Sequence, residues 1–217
     1  MEPPFVCNGW SIVFGPRFAA RFSEMVERAT GLRAKLSEEE YRRHPDVKLL
    51  TAVQRAITDI IPANPNAAEF RLRGDLGNFR RLKKRGLPER YRLFYTYSST
   101  AKAIILLYLN DANTLRAEGS GNDPYVVFSG LVASGDVGPD FEANWGLWVR
   151  ANPGLAPPEG TSAGPSPEAL PGPGEMLTTV LTKVVGLRRD VVEQMTDAEA
   201  AAAWQEYLDS LNRQPGN

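Results

Sequence analysis

Between Arg71 and Arg92 the chain carries nine lysines and arginines (Arg71, Arg73, Arg80, Arg81, Lys83, Lys84, Arg85, Arg90, Arg92) against two acids, Asp75 and Glu89. That stretch is +7, and because the whole chain has a formal charge of −1, the remainder carries −8. A concentrated positive stripe on an otherwise acidic chain is the electrostatic footprint of a phosphate-bearing ligand. The plainer reading is a solvated, solubilising surface. Spacing sharpens the choice. Residues 79–85 (FRRLKKR) and 90–98 (RYRLFYTYS) flank the turn Gly86–Leu87–Pro88–Glu89 and read as a hairpin with a longer loop. Tyr91, Leu93, Tyr95 and Tyr97 alternate on one face, with Arg90, Arg92, Phe94 and Thr96 on the other. If Leu82 points with Tyr91 and Leu93, then Arg81 and Lys83 point with Arg90 and Arg92. Four cations then share one open sheet face, with Phe94 as a stacking surface. Like charges held ~5 Å apart across strands call for an anion between them. The arrangement suits a phosphodiester backbone and an unstacked base.

Such a face could cleave RNA as well as bind it, because RNA supplies its own nucleophile, the 2′-OH. The protein has to hold the in-line geometry, offset charge on the phosphorane and move protons. Arginines fit the charge role, and a lysine with a pKa depressed by neighbouring cations fits the proton role. The product would be a 2′,3′-cyclic phosphate. Three readings stay open at this level: an endoribonuclease, an RNA- or ribosome-binding inhibitor without cleavage, and a module whose hairpin docks an acidic protein segment.

The elements that must position these side chains are legible in outline. Trp10–Phe14 reads as an edge strand stopped by Gly15–Pro16. Phe18, Phe22, Met25, Val26 and Ala29 recur at helical spacing from about Pro16 to Thr30, with Gly31 as a stop signal. Ser37 and Glu40 form a capping box. A second long helix runs from about Asp46 to Ile61, ended by Pro62. Beyond the hairpin, Lys102–Leu109 is apolar on both faces, as a central strand should be, and a short helix is expected at about Pro124–Ser134. The order β-α-α-β-β-β-α predicts an α+β fold, an antiparallel sheet with helices packed on one face.

At 217 residues the chain has room for one domain and an appendage. From Asn152 to Glu175, twelve of twenty-four residues are Pro or Gly, which predicts a semi-stiff linker at 151–175. It separates a body at 5–150 from a helical tail at 176–213, with helices at about Met176–Val185 and Asp197–Leu211 and an apolar stripe at Trp204, Tyr207, Leu208 and Leu211. One cysteine, Cys7, excludes an internal disulfide framework, and one histidine, His44, excludes His-rich metal chemistry. No metal or cofactor is called for. No apolar run reaches the ~20 residues of a membrane span and no secretory signal is seen, so a cytoplasmic location is expected. His44 reads as a surface residue and Cys7 as inert. Asn110 and Asp111 read as turn formers, and Tyr91, Tyr95 and Tyr97 as packing residues. Arg116 is divided between a phosphate contact and a structural ion pair.

Several short stretches, in order, carry a resemblance: NGW at 8–10, KLL at 48–50, NP at 64–65, FR at 70–71, RYRLF at 90–94, YS at 97–98, ND at 110–111, TLR at 114–116 and DPYVVF at 123–128. Over residues 8–141 the body resembles the YhaV family of toxins, a branch of the RelE superfamily of type II toxin–antitoxin systems. The resemblance implies a RelE-like fold and an mRNA interferase that cleaves RNA in association with ribosomes. It also implies a PrlF-like antitoxin as partner, in a homo- or hetero-oligomer. The family's Arg–x–Lys stretch falls on Arg81 and Lys83, and the arginines of RYRLF are Arg90 and Arg92. These four are the expected catalytic residues, with Lys84, Arg85, Phe94 and Arg116 as expected RNA contacts.

Overall fold

The computed structural model describes residues 5–114 and 121–152. The expected linker, the expected helical tail and Arg116 lie outside the described residues. Among the described residues, no helix is long and apolar enough to cross a membrane.

Five strands form one sheet in the order β1-β2-β5-β4-β3, comprising β1 (Phe5–Cys7), β2 (Trp10–Phe14), β3 (Arg80–Leu82), β4 (Leu93–Ser98) and β5 (Ala103–Leu109). The β2 strand is not at the edge. Asn8 and Gly9 both have positive φ, 49° and 75°, and turn the chain so that β1 pairs antiparallel outside β2. An Asn-Gly pair of that kind is a tight-hairpin signal. On its other side β2 runs parallel to β5, so the sheet is mixed, with its other pairs antiparallel. The central position of the all-apolar β5 is as expected.

The expected helical layer covers one face. Helix α1 (Pro16–Arg33) buries Phe18, Phe22, Met25, Val26 and Ala29, and α3 (Pro45–Arg55) buries Val47, Leu50 and Val53. Gly31 does not stop α1, because Leu32 packs on the core and the helix runs on to Arg33. Between them, α2 (Glu38–Arg43) starts on the Ser37–Glu40 capping box. The His44 imidazole caps α3, its Nδ1 accepting from the Asp46 N–H at 3.2 Å. After α3 the chain widens into a π turn (Ala56–Ile60), in which the Ile61 N–H donates to the Ala56 carbonyl, and ends in the short α4 (Ile61–Ala63). Pro62 explains the widening: it has no N–H to offer and its ring crowds the carbonyl four residues back. Against this layer the sheet presents Ile12, Phe14, Leu82, Leu93, Tyr95, Ile104, Leu106 and Leu109.

The opposite face is not open. Val13, Phe79, Phe94, Ile105 and Leu107 form a second core with Phe128 of α5 (Pro124–Ala133), Val137, and Trp148 of α6 (Phe141–Ala151). A bulge contributes to this core. Phe94 pairs with Tyr108 and Tyr95 with Leu106, so Leu107 is the extra residue and turns to the same side as Tyr108. The sequence reading had no helix for Phe141–Ala151, although Asp140 caps it, accepting from the Ala143 N–H at 2.9 Å. Trp148 closes the core, 1% exposed.

Candidate active site

The expected hairpin is shorter than its pattern. Strand β3 ends at Leu82 and β4 begins at Leu93, so Lys83, Lys84, Arg85, Arg90 and Arg92 belong to the connection, not to paired strands. Three devices tie that connection down. Lys84 and Gly86 adopt positive φ, 60° and 86°, and the Leu87 N–H closes the turn on the Lys84 carbonyl at 2.6 Å. Leu87 itself is buried in the core under the helices. On the far side, Asn110 accepts the Arg92 N–H at 2.6 Å and donates to the carbonyls of Arg90 (3.2 Å) and Thr114 (2.9 Å). Asp111 holds the adjoining turn through the Asn113 and Thr114 N–H groups and the Thr114 hydroxyl. Asn110 and Asp111 are therefore the turn chemistry expected of them.

The alternation of faces holds: Arg81 pairs with Phe94 and Leu82 with Leu93, and the first pair faces α5. What changes is the surroundings. Phe94 is fully buried, its ring stacked on Phe128 at 4.3 Å and edge-on to Tyr125 at 5.6 Å. It offers no stacking surface to a base; it is part of the aromatic platform beneath Tyr125. The expectation failed because strand period tells which residues share a face, while a later segment decides whether that face is covered.

Arg81 is 9% exposed. Its Nη1 donates to the Tyr125 hydroxyl and its Nη2 to the Glu69 carbonyl at 3.3 Å, with the guanidinium 5.7 Å from the Tyr125 ring centroid. Tyr125 sits in the first turn of α5, set by Pro124 at the start and by the Asp123 carboxylate, which accepts the Tyr125 N–H at 2.9 Å. Arg92 is 3% exposed, and its Nη1 donates to the carbonyls of Glu89 (2.6 Å) and Tyr91 (2.7 Å). The Nε atoms of both arginines are buried without a hydrogen-bond partner. Among the described residues neither guanidinium pairs with a carboxylate. Neutral acceptors hold both cations without cancelling their charge.

Lys83 feels that charge. Its side chain is exposed at the end of β3, and its ammonium is held below the ordinary lysine range. The Arg81 guanidinium is the main cause, followed by partial desolvation, with Arg92 and Lys84 adding and Tyr125 opposing. The positive charge of Arg81 and Arg92 thus reaches the Lys83 ammonium. Arg90 stands exposed in the turn before β4, and Lys84 is exposed beside Lys83. Arg85 is already engaged, 3.0 Å from the Glu69 carboxylate. The sequence reading missed Tyr125. Its stretch, DPYVVF, was visible, but no spacing links position 125 to position 81; the fold brings them together.

Such a site can bind an anion through uncancelled positive charge and can take up a proton on an exposed amine. A hydroxyl that accepts from Arg81 keeps its own proton to donate. Away from it, burial, reinforced by Asp59, pushes the Cys7 thiol up to about 12, so it is no nucleophile at neutral pH.

Comparison with known proteins agrees in kind. The YhaV toxin family model, described as a toxin with endonuclease activity of a toxin–antitoxin system, matches residues 12–145. Toxin YhaV of Escherichia coli O6:H1 is 36% identical over 146 residues, 66% of this chain and 94% of that protein. Ribonuclease toxin YhaV of Escherichia coli K12 is 36% identical over 145 residues, 65% of this chain and 94% of that protein. No solved structure matches significantly.

Proposed function

This chain belongs to the YhaV family of toxins of toxin–antitoxin systems, and we propose that it is a metal-independent endoribonuclease that cleaves mRNA by attack of the 2′-OH. One arrangement carries the reading: the exposed Lys83, its ammonium held below the ordinary lysine range chiefly by Arg81, lies with the buried guanidiniums of Arg81 and Arg92, which pair with no carboxylate among the described residues. In the step, the neutral Lys83 amine takes the 2′-OH proton, the O2′–P bond forms and the P–O5′ bond breaks. The leaving oxygen collects a proton from water. The products are a 2′,3′-cyclic phosphate and a 5′-hydroxyl. Arg81, steadied by Tyr125, offsets the charge that grows on the phosphorane, and Arg92 adds its field while fixing the loop that carries Lys83. Arg90 and Lys84 contact flanking phosphates, and Arg85 joins them when a phosphate displaces Glu69.

The partners in this reading are mRNA on the ribosome as substrate and a PrlF-like antitoxin that silences the toxin in the cytoplasm; membership of a toxin–antitoxin family supports the second in kind. The test is incubation of purified protein with mRNA in EDTA, with and without ribosomes. Cyclic-phosphate ends that vanish in Arg81→Ala support the reading. Retained RNA binding with no cleavage in the native protein points instead to a translation inhibitor that acts by occupancy, and overturns it.

A further inference from the structure

A second set of cations and rings lies on the other face of the sheet. Lys102 Nζ is 5.1 Å from the centroid of the Trp10 ring, Trp10 meets Tyr97 edge-on at 6.0 Å, and the Arg80 guanidinium lies 5.3 Å from the centroid of Tyr97. These four residues come from or adjoin β5, β2, β4 and β3, so they form a row across the sheet with the two rings between the two cations. Trp10 and Tyr97 pack at the margin of the core under the helices and are only half-buried, and Lys102 is exposed. Among the described residues neither Lys102 nor Arg80 has a carboxylate partner. Arg80 donates to the carbonyls of Gly77 and Phe79 and, at 3.4 Å, to Asn66, all neutral. Arg71 forms a bridge with Arg80 at the sheet edge and is exposed, which extends the positive charge outward.

We propose that this row is a second RNA-binding surface, which holds a single-stranded segment flanking the one in the candidate active site. Half-exposed rings, each with a cation over it, match the two needs of an unpaired strand once Lys102 or Arg80 turns from its ring to a phosphate: a π-face for a base and a positive charge for the adjoining phosphate. Continuity with the active site comes from β3, an edge strand. Its successive residues point to opposite faces, so Arg80 on the row and Arg81 in the site are chain neighbours. A strand leaving Arg81 would reach Arg80 by crossing the 69–71 segment, which lies along this edge and bridges Arg80 through the exposed Arg71. The inference rests on the ribonuclease reading for the identity of the ligand.

Binding is measured with 2′-O-methyl RNA, which offers no 2′-OH, so affinity is read without cleavage. The native chain should bind a long oligomer about tenfold more tightly than one short enough to occupy the active site alone. Lys102→Glu and Trp10→Leu should erase that length advantage while leaving the short oligomer's affinity and the cleavage of short RNA unchanged. Lys102 is exposed, so its variant keeps the result readable if Trp10→Leu misfolds. A photoreactive base in the long oligomer should crosslink to Trp10 or Tyr97. An unchanged length advantage in Lys102→Glu, or crosslinks confined to the Arg81 face, overturns the proposal. So does a loss of antitoxin binding with RNA affinity intact, which would make the row a protein contact. Failure of the ribonuclease reading is distinct, since it appears as absent cleavage with the length advantage preserved.

Discussion

At the scale of single residues the decisive relation is between Lys83 and Arg81. A proton acceptor has to be neutral, and a cation held close by raises the neutral fraction of the amine at any given pH. Cleavage should therefore rise with pH and level off above the depressed pKa of Lys83. Lys83→Arg keeps the charge but not the acceptor. Its single-turnover rate should fall by about 10²- to 10⁴-fold and lose the rising limb; a normal rate in this variant would remove Lys83 from proton transfer. Arg81→Gln, assayed over the same range, should move any residual limb to higher pH, because the main cause of the depression is gone. Tyr125 is tested separately. Tyr125→Phe keeps the ring that meets Phe94 and loses the oxygen that accepts from Arg81. The loss of one charge-assisted hydrogen bond, about 1.5–3 kcal/mol, should lower the melting temperature by several degrees and slow cleavage, because Arg81 loses the contact that orients it.

At the scale of elements, the loop between β3 and β4 is as precise as its anchors. Asn110 is fully buried and makes three hydrogen bonds to it and to the next turn. Asn110→Ala leaves the buried Arg92 N–H without its acceptor and should cost about 2–3 kcal/mol, read as a lower denaturation midpoint with slower cleavage. Phe94 gives the complementary case. Phe94→Ala opens a hole in the aromatic stack and should cost about 3–5 kcal/mol, whereas a base-stacking residue would lose RNA affinity at constant stability. These two positions also show how far the sequence reaches. The stripes of α1 and α3, the Ser37–Glu40 box and the faces of Arg81 and Phe94 follow from local spacing and hold in the fold. The second core does not follow. Helix α5 is apolar all round, so no stripe says which side it buries, and its approach to Phe94 depends on a contact between distant segments. The inner position of strand β2 is legible at closer range, since Asn8–Gly9 is a hairpin signal that sets β1 outside it. Tyr125 is hidden for the same reason as the second core.

At the scale of the whole molecule, charge is segregated: +7 lies between Arg71 and Arg92 and −8 is spread over the remaining chain. The fold divides the positive segment between the two faces of one edge strand, Arg80 to one side and Arg81 to the other, with Lys83 at its end. Affinity for RNA should then come chiefly from phosphate contacts and the counterions they release, while the acidic remainder repels nucleic acid elsewhere on the surface. With about four phosphates neutralised on a single strand, the slope of log K against log salt is roughly −3, so raising salt from about 50 to 200 mM should weaken binding roughly fiftyfold. The slope should fall by about 0.7 for each contacting cation removed. Arg85→Ala makes a useful contrast, because Arg85 is paired with Glu69 before RNA arrives. A phosphate that takes Arg85 must first release that carboxylate, so its loss should change the slope by less than the loss of Arg90. Titration of 2′-O-methyl RNA by fluorescence anisotropy across a salt series measures all of these slopes. A flat response would mean that apolar and shape contacts hold the RNA, and the charge segregation would then need another cause.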